Sequence, residues 1–243
     1  MKKYLFLMVK KMLPLKYVVI VRDYYLKLSN GYDLELSIVL NNKYRRVFID
    51  IGTNLGTYSI PASKVYKTVY SYEPNNSLAR MLRASNIKNI NVREVALSNY
   101  KGEAKLDIPH DQNNNPQPAQ ASIVKKGVGN GEIVRVTTLD SEKIDNVDVI
   151  KIDVEGAEFD VLSGAQNLIE KNKPVLIIEL EERHHQGRKL ADMLEEVMNY
   201  GYLPFSLSNN GKKISLGNRK GGVDVEILKN INNNNFIFMP IEN

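Results

Sequence analysis

Val47-Phe48-Ile49-Asp50-Ile51-Gly52-Thr53-Asn54-Leu55-Gly56-Thr57 is the stretch on which the fold turns. A short apolar strand runs into a loop holding two glycines and an asparagine, and a helical pattern follows near 57–66. The crevice at the carboxyl end of a parallel strand is where open α/β sheets bind ligands. Gly52 and Gly56 let the backbone turn tightly and approach a ligand with no Cβ in the way. Asn54 suits a left-handed backbone conformation, Thr53 sits beside it, and Asp50 is placed either to take an ammonium group or to fix the loop. The spacing is not G-x-G-x-x-G, because the third glycine arrives one residue early. A nicotinamide-dependent oxidoreductase is therefore disfavoured.

Downstream, short apolar runs alternate with helical periods: TVYSYE (68–73), a helix near 76–85, INVREVAL (90–97), VDVIKID (147–153), a helix near 157–170, PVLIIEL (174–180) and a helix near 187–200. In the last helix Leu190, Met193, Leu194, Val197 and Met198 fall on one face. Such alternation predicts a doubly wound, parallel α/β sheet covered on both faces. Residues 99–140 break the pattern, with strand-like pieces at Ala104–Ile108 and Glu132–Thr138 around HDQNNNPQPAQ, which predicts a mobile loop near 110–120. At the C-terminus, YLPFSLS and NFIFMP read as two antiparallel strands closing the sheet. The second strand ends in Glu73-Pro74, where a carboxylate can accept both hydrogen bonds of a ribose diol or cap the next helix.

Upstream, residues 1–46 are expected to form an appendage of one helix and one β-hairpin, the hairpin turning at Asn30-Gly31, with the main domain at 47–243. Residues 1–46 hold ten Lys/Arg against three Asp/Glu, a balance of +7. The other 197 hold 23 against 25, a balance of −2, so the net +5 belongs to the N-terminal piece. That weakens a nucleic-acid reading of the chain as a whole. The apolar run Tyr4–Val9 is too short for a secretory core or a membrane span. The expected location is cytoplasmic, with residues 1–22 a candidate for peripheral contact with a membrane. Zero cysteines exclude a disulfide scaffold and a thiol nucleophile, and three histidines exclude a histidine-rich metal site.

The motif Asp50-Ile51-Gly52-Thr53-Asn54-Leu55-Gly56, the acidic Tyr72-Glu73-Pro74, Val95-Ala96-Leu97-Ser98, Thr137-Thr138-Leu139-Asp140 and Lys151-Ile152-Asp153-Val154-Glu155-Gly156-Ala157-Glu158 together resemble the FkbM family of S-adenosylmethionine-dependent methyltransferases. The resemblance covers about residues 45–182. It implies a class I methyltransferase, Rossmann-like fold with strand order 3-2-1-4-5-7-6, the last strand antiparallel. It also implies that Asp50, Gly52, Asn54 and Gly56 surround the methionine part of the cofactor, with Thr53 a further cofactor-binding residue. Glu73 would hold the ribose hydroxyls, Ala96 and Leu97 would flank the adenine, and Pro74 and Asp153 would be further cofactor-binding residues.

The fourth strand ends in Asp153 with Glu155 and Glu158 beyond it, and the fifth ends in Glu179 with Glu181 and Glu182 beyond it. Asp153, Glu155 and Glu179 are candidates for a general base, or for oxygen ligands to a divalent cation such as Mg2+. Lys151, two residues before Asp153, faces the same side and is a candidate partner. His184 is a further candidate base, while Glu158, Glu181 and Glu182 read as solvated charge. The expected activity is O-methylation of a hydroxyl on a sugar, glycan or small-molecule metabolite. The alternatives are ribose 2'-O-methylation of RNA, since Lys151, Asp153 and Glu179 are faintly similar to a Lys-Asp-Lys-Glu tetrad that here lacks its second lysine, and a non-catalytic cofactor-binding partner subunit. Oligomeric state is not legible.

Overall fold

The structure is a computed structural model and describes residues 13–109, 112, 117, 121–124 and 131–241. Two helices come first, α1 (Leu15–Ser29) and α2 (Leu36–Leu40). Then come β1 (Val47–Ile51), α3 (Ser59–Ser63), β2 (Thr68–Tyr72), α4 (Asn76–Ala84) and β3 (Ile90–Arg93). A second group of strands follows: β4 (Ala96–Leu97), β5 (Gly102–Asp107), β6 (Ser122–Val124) and β7 (Glu132–Thr137). The chain continues through β8 (Val147–Ile152), α5 (Glu158–Ser163), α6 (Gln166–Asn172), β9 (Val175–Glu179) and α7 (Leu190–Met198). It finishes with β10 (Tyr202–Leu207), β11 (Lys213–Ser215), β12 (Gly217–Asn218), β13 (Gly222–Val223), α8 (Val225–Leu228) and β14 (Asn235–Pro240).

The main sheet has eight strands in the order β3-β2-β1-β8-β9-β14-β10-β11. Pairs from β3 to β9 are parallel, and β14 lies antiparallel between β9 and β10. Numbered along the chain within this sheet, the spatial order is 3-2-1-4-5-8-6-7, one strand more than the seven expected, because β11 adds an edge. Period-two alternation builds the two faces. Ile49, Ile150, Leu176 and Phe236 pack with α5, α6 and α7 on one side, while Phe48, Val149, Ile177 and Ile237 pack with α2 and α3 on the other. The second sheet, β4-β7-β5-β6, has its own small core around Ala104, Leu106, Val134 and Val136.

The N-terminal hairpin is corrected. Asn30 takes the left-handed conformation as the C-terminal cap of α1, and both its N–H and that of Gly31 donate to Leu26 O. Asn-Gly is a turn signal because both residues tolerate positive φ, and the end of a helix uses that tolerance as readily as a hairpin does. The helical period at 157–170 is also divided, at Gly164–Ala165, into α5 and α6. Residues 1–12 and most of the stretch 110–120 lie outside the described residues. Among the described residues no helix is long and apolar enough to cross a membrane.

Candidate cofactor cleft and active site

The loop after β1 is shaped by close approach. Gly52 has φ +77°, and a Cβ built there would stand 1.7 Å from Asp153 O, so only glycine lets this loop lie against the end of β8. Gly56, also at φ +77°, abuts Leu82 and Ile60, so its role is to seat the loop on α3 and α4. Asn54 lies at φ 51°. Beneath the loop Asp50 is buried. Thr53 Oγ1 donates to its Oδ2 at 2.8 Å and Ser59 Oγ at 2.5 Å, with Ser71 Oγ 2.6 Å from Ser59 Oγ. Burial pushes the Asp50 carboxyl above its ordinary range against these bonds. Asp50 and Thr53 thus fix the loop from below.

One cleft, open to solvent, is lined by Gly52, Asn54, Glu73, Pro74, Ala96, Leu97, Asp153 and Glu155 together with apolar neighbours. Glu73 is buried at the end of β2, with Oε2 accepting from Asn54 N at 2.8 Å and Oε1 from Asn75 N at 2.9 Å. Each oxygen keeps a lone pair for a ligand hydroxyl. Burial pushes its pKa up to about 7, the two amides pulling the other way. The helix cap falls to Asn75, whose side chain accepts from Ser77 N and Leu78 N. Opposite Glu73, Val95, Ala96, Leu97, Leu106 and Ile123 make an apolar wall.

At the far end stand the carboxylates of β8 and β9. Lys151 is buried, its Nζ 3.4 Å from Asp153 Oδ2 and 5.5 Å from the centre of the Tyr58 ring, and it makes no hydrogen bond among the described residues. Asp153 shares a hydrogen bond with Glu179. Desolvation raises the Asp153 pKa, but Lys151 and the Glu179 bond outweigh it and hold Asp153 below its ordinary range. Glu179 takes the opposite course: burial and the neighbouring Asp153 push it up to about 8, so it carries the shared proton at neutral pH. Glu155 sits at φ 55°, a conformation that costs a side-chain-bearing residue of order 1 kcal/mol or more. Burial and the Asp153 charge push its pKa up to about 7, and His184 Nδ1 stands 3.2 Å from its Oε2.

Not every candidate meets the cleft. Gly56, Asp50, Thr53, Lys151, Glu179 and His184 are not part of its lining, whereas the other candidates line it. Among the described residues no three carboxylate or imidazole groups are arranged to hold a metal ion. Asp153, Glu155 and Glu179 are engaged with Lys151, His184 and one another, so they do not fit a magnesium cage. Glu158 is not solvated charge. It is buried, accepts from Val154 N at 3.2 Å and Gly156 N at 3.1 Å, and lies 3.0 Å from His185 Nε2, although off the line of a hydrogen bond. It ties down the loop that holds Glu155. Its place in the first turn of α5, where a carboxylate can turn back onto preceding amides, was the available signal.

Glycine loop, buried acid, apolar wall and carboxylates thus meet at the carboxyl edge of one α/β sheet, with titratable groups at one end. The chain belongs to the methyltransferase FkbM domain family, whose model matches residues 50–204. That is a family of S-adenosylmethionine-dependent methyltransferases. Among solved structures the chain is similar to a methyltransferase FkbM from Methylobacillus flagellatus, with 15% identity and a TM-score of 0.48 over 80% of this chain and 43% of that one. It thus spans less than half of that protein's length. It is also similar to a TehB-like methyltransferase from Corynebacterium glutamicum, at 13% identity and a TM-score of 0.45 over 91% and 96% of the two chains. An rRNA methylase from Streptococcus thermophilus is similar at 12% identity and a TM-score of 0.44 over 88% and 96%. No curated protein matches the chain.

Proposed function

We propose that the chain methylates a hydroxyl group of a small molecule or glycan, with Glu155 as the proton acceptor. The observation that carries this reading is the pairing in one cleft of Glu73, suited to a ribose diol, with Glu155, whose pKa of about 7 suits proton transfer near neutrality. The seven strands inside the β11 edge run 3-2-1-4-5-7-6, which supports a class I methyltransferase reading.

The donor set fits S-adenosylmethionine. Glu73 would hold the ribose hydroxyls, Ala96 and Leu97 would take the flat base, and the carboxyl end of β8 would face the sulfonium. When bound, the cofactor supplies an electrophilic methyl group. The protein's task is then alignment, exclusion of water and removal of one proton. Glu155, its pKa raised to about 7, takes the hydroxyl proton. His184 Nδ1 holds its carboxylate in place. Asp153, kept ionised by Lys151, puts a negative charge beside the positive cofactor centre, and its hydrogen bond with Glu179 fixes its direction. No step here uses a divalent cation.

Calorimetry with S-adenosylmethionine and turnover against a panel of sugar and metabolite hydroxyls test the reading. The Glu155→Gln variant is expected to bind the cofactor normally and to lose about 100-fold or more in kcat. Undiminished kcat would remove Glu155 as base, and no heat with cofactor would overturn the assignment of the cleft.

A further inference from the structure

The outward side of α1 carries a stripe that the fold does not cover. Tyr17, Ile20, Tyr24 and Leu28 recur at helical spacing and are 43%, 41%, 63% and 70% exposed. Lys16 and Lys27 lie beside them on the same exposed side. The buried side of the helix is Val18, Val19 and Asp23, with Val19 packed on Ile60 and Leu82. The one acid of the helix, Asp23, is turned inward and paired with Lys64 at 2.6 Å. The exposed side is therefore apolar, aromatic and cationic, with no carboxylate.

We infer that this face of α1 docks on an anionic lipid surface. Charge selects that occupant. Residues 1–22 hold six Lys/Arg and no Asp/Glu. A second copy laid on the stripe would set Lys16 and Lys27 against their own counterparts, and folding residues 1–12 over it would bring Lys2, Lys3, Lys10 and Lys11 to the same side. An anionic bilayer accepts the lysines at its headgroups and the tyrosines and aliphatic chains at its interface, which is how basic amphipathic helices lie on membranes. On the domain side, Arg22 Nη1 donates to Thr57 Oγ1 at 2.7 Å and so ties α1 to the end of the glycine loop. The inference stands apart from the reading of the cleft, because it needs no methyl transfer.

The test is co-sedimentation of the full chain with vesicles of phosphatidylcholine alone or mixed with phosphatidylglycerol, with light scattering in the absence of lipid. Binding to the mixed vesicles only, weakened by salt, is expected. Each of Lys16→Gln and Lys27→Gln should weaken it about fivefold, and the doubly substituted Tyr24→Glu, Leu28→Glu protein should lose it. Those exposed positions leave folding and cofactor binding as the controls. Equal binding to both vesicle types would overturn the inference, as would no binding at all. A lipid-free dimer broken by the Tyr24→Glu, Leu28→Glu pair would reassign the face to a second copy. Binding that appears only after deletion of residues 1–12 would reassign it to the chain's own N-terminus.

Discussion

The two ends of the cleft are built by different means. Around Glu73 the determinants are backbone: two glycines at positive φ, an asparagine at φ 51° and two amides aimed at one carboxylate. Around Asp153 they are side chains acting on side chains: Lys151 and Glu179 hold Asp153 down, Asp153 pushes Glu179 and Glu155 up, and His184 stands against Glu155. A backbone-built end is rigid and tolerates few substitutions, whereas a coupled carboxylate end can redistribute a proton when one member is changed. The first suits a ligand that never varies. The second suits chemistry in which charge has to move.

The largest effect that would break this contrast is at Gly52. Gly52→Ala forces a Cβ onto the Asp153 carbonyl and a side chain into positive φ, and should cost about 3 kcal/mol or more in urea unfolding while abolishing cofactor binding. A small cost would mean that the loop is pliable. Next comes Glu73→Gln, which sets an amide group against a backbone N–H and should weaken cofactor binding by about tenfold or more in calorimetry.

A pH series on the wild type sharpens the same point. Ribose hydroxyls donate to ionised Glu73, so affinity should fall by up to about tenfold per unit as pH drops below about 7, and the Gln variant should lack that dependence. The stability effect has the opposite sign. The native Glu73 binds its proton more tightly than the unfolded chain does, so its contribution to stability is present at low pH and is lost as pH rises through about 7. The smallest effect is expected at the coupled end. His184→Gln removes one partly exposed contact to Glu155 and should lower kcat about twofold to fivefold without changing cofactor affinity.

The same contrast explains what could be read in advance. The turn at Gly52 and Asn54 and the strand end at Glu73 were legible because local sequence dictates them, whereas Ala96 and Leu97 entered only through the family resemblance. The sharing of a proton between Asp153 and Glu179 was not, because it depends on β8 and β9 lying side by side. Glu158 was misread as solvent charge for a related reason: its partner His185 comes from the far side of α5, α6 and β9. The Asn30-Gly31 turn failed differently. Positive φ is readable from those two residues, but whether it ends a helix or joins two strands depends on the packing of Val18 and Val19 against the domain. The Arg22–Thr57 link is a contact between segments that no local pattern announces.

The run at 90–97 breaks between two sheets, β3 staying in the first and β4 entering the second. Its two adjacent wall residues therefore belong to different interiors, Leu97 to the large core and Ala96 to the small one. A base resting on both would be a shared keystone. By mass action its binding energy would be felt in each interior at once, so the opening of β5 and β7, read as amide exchange, should slow in step with occupancy of the cleft.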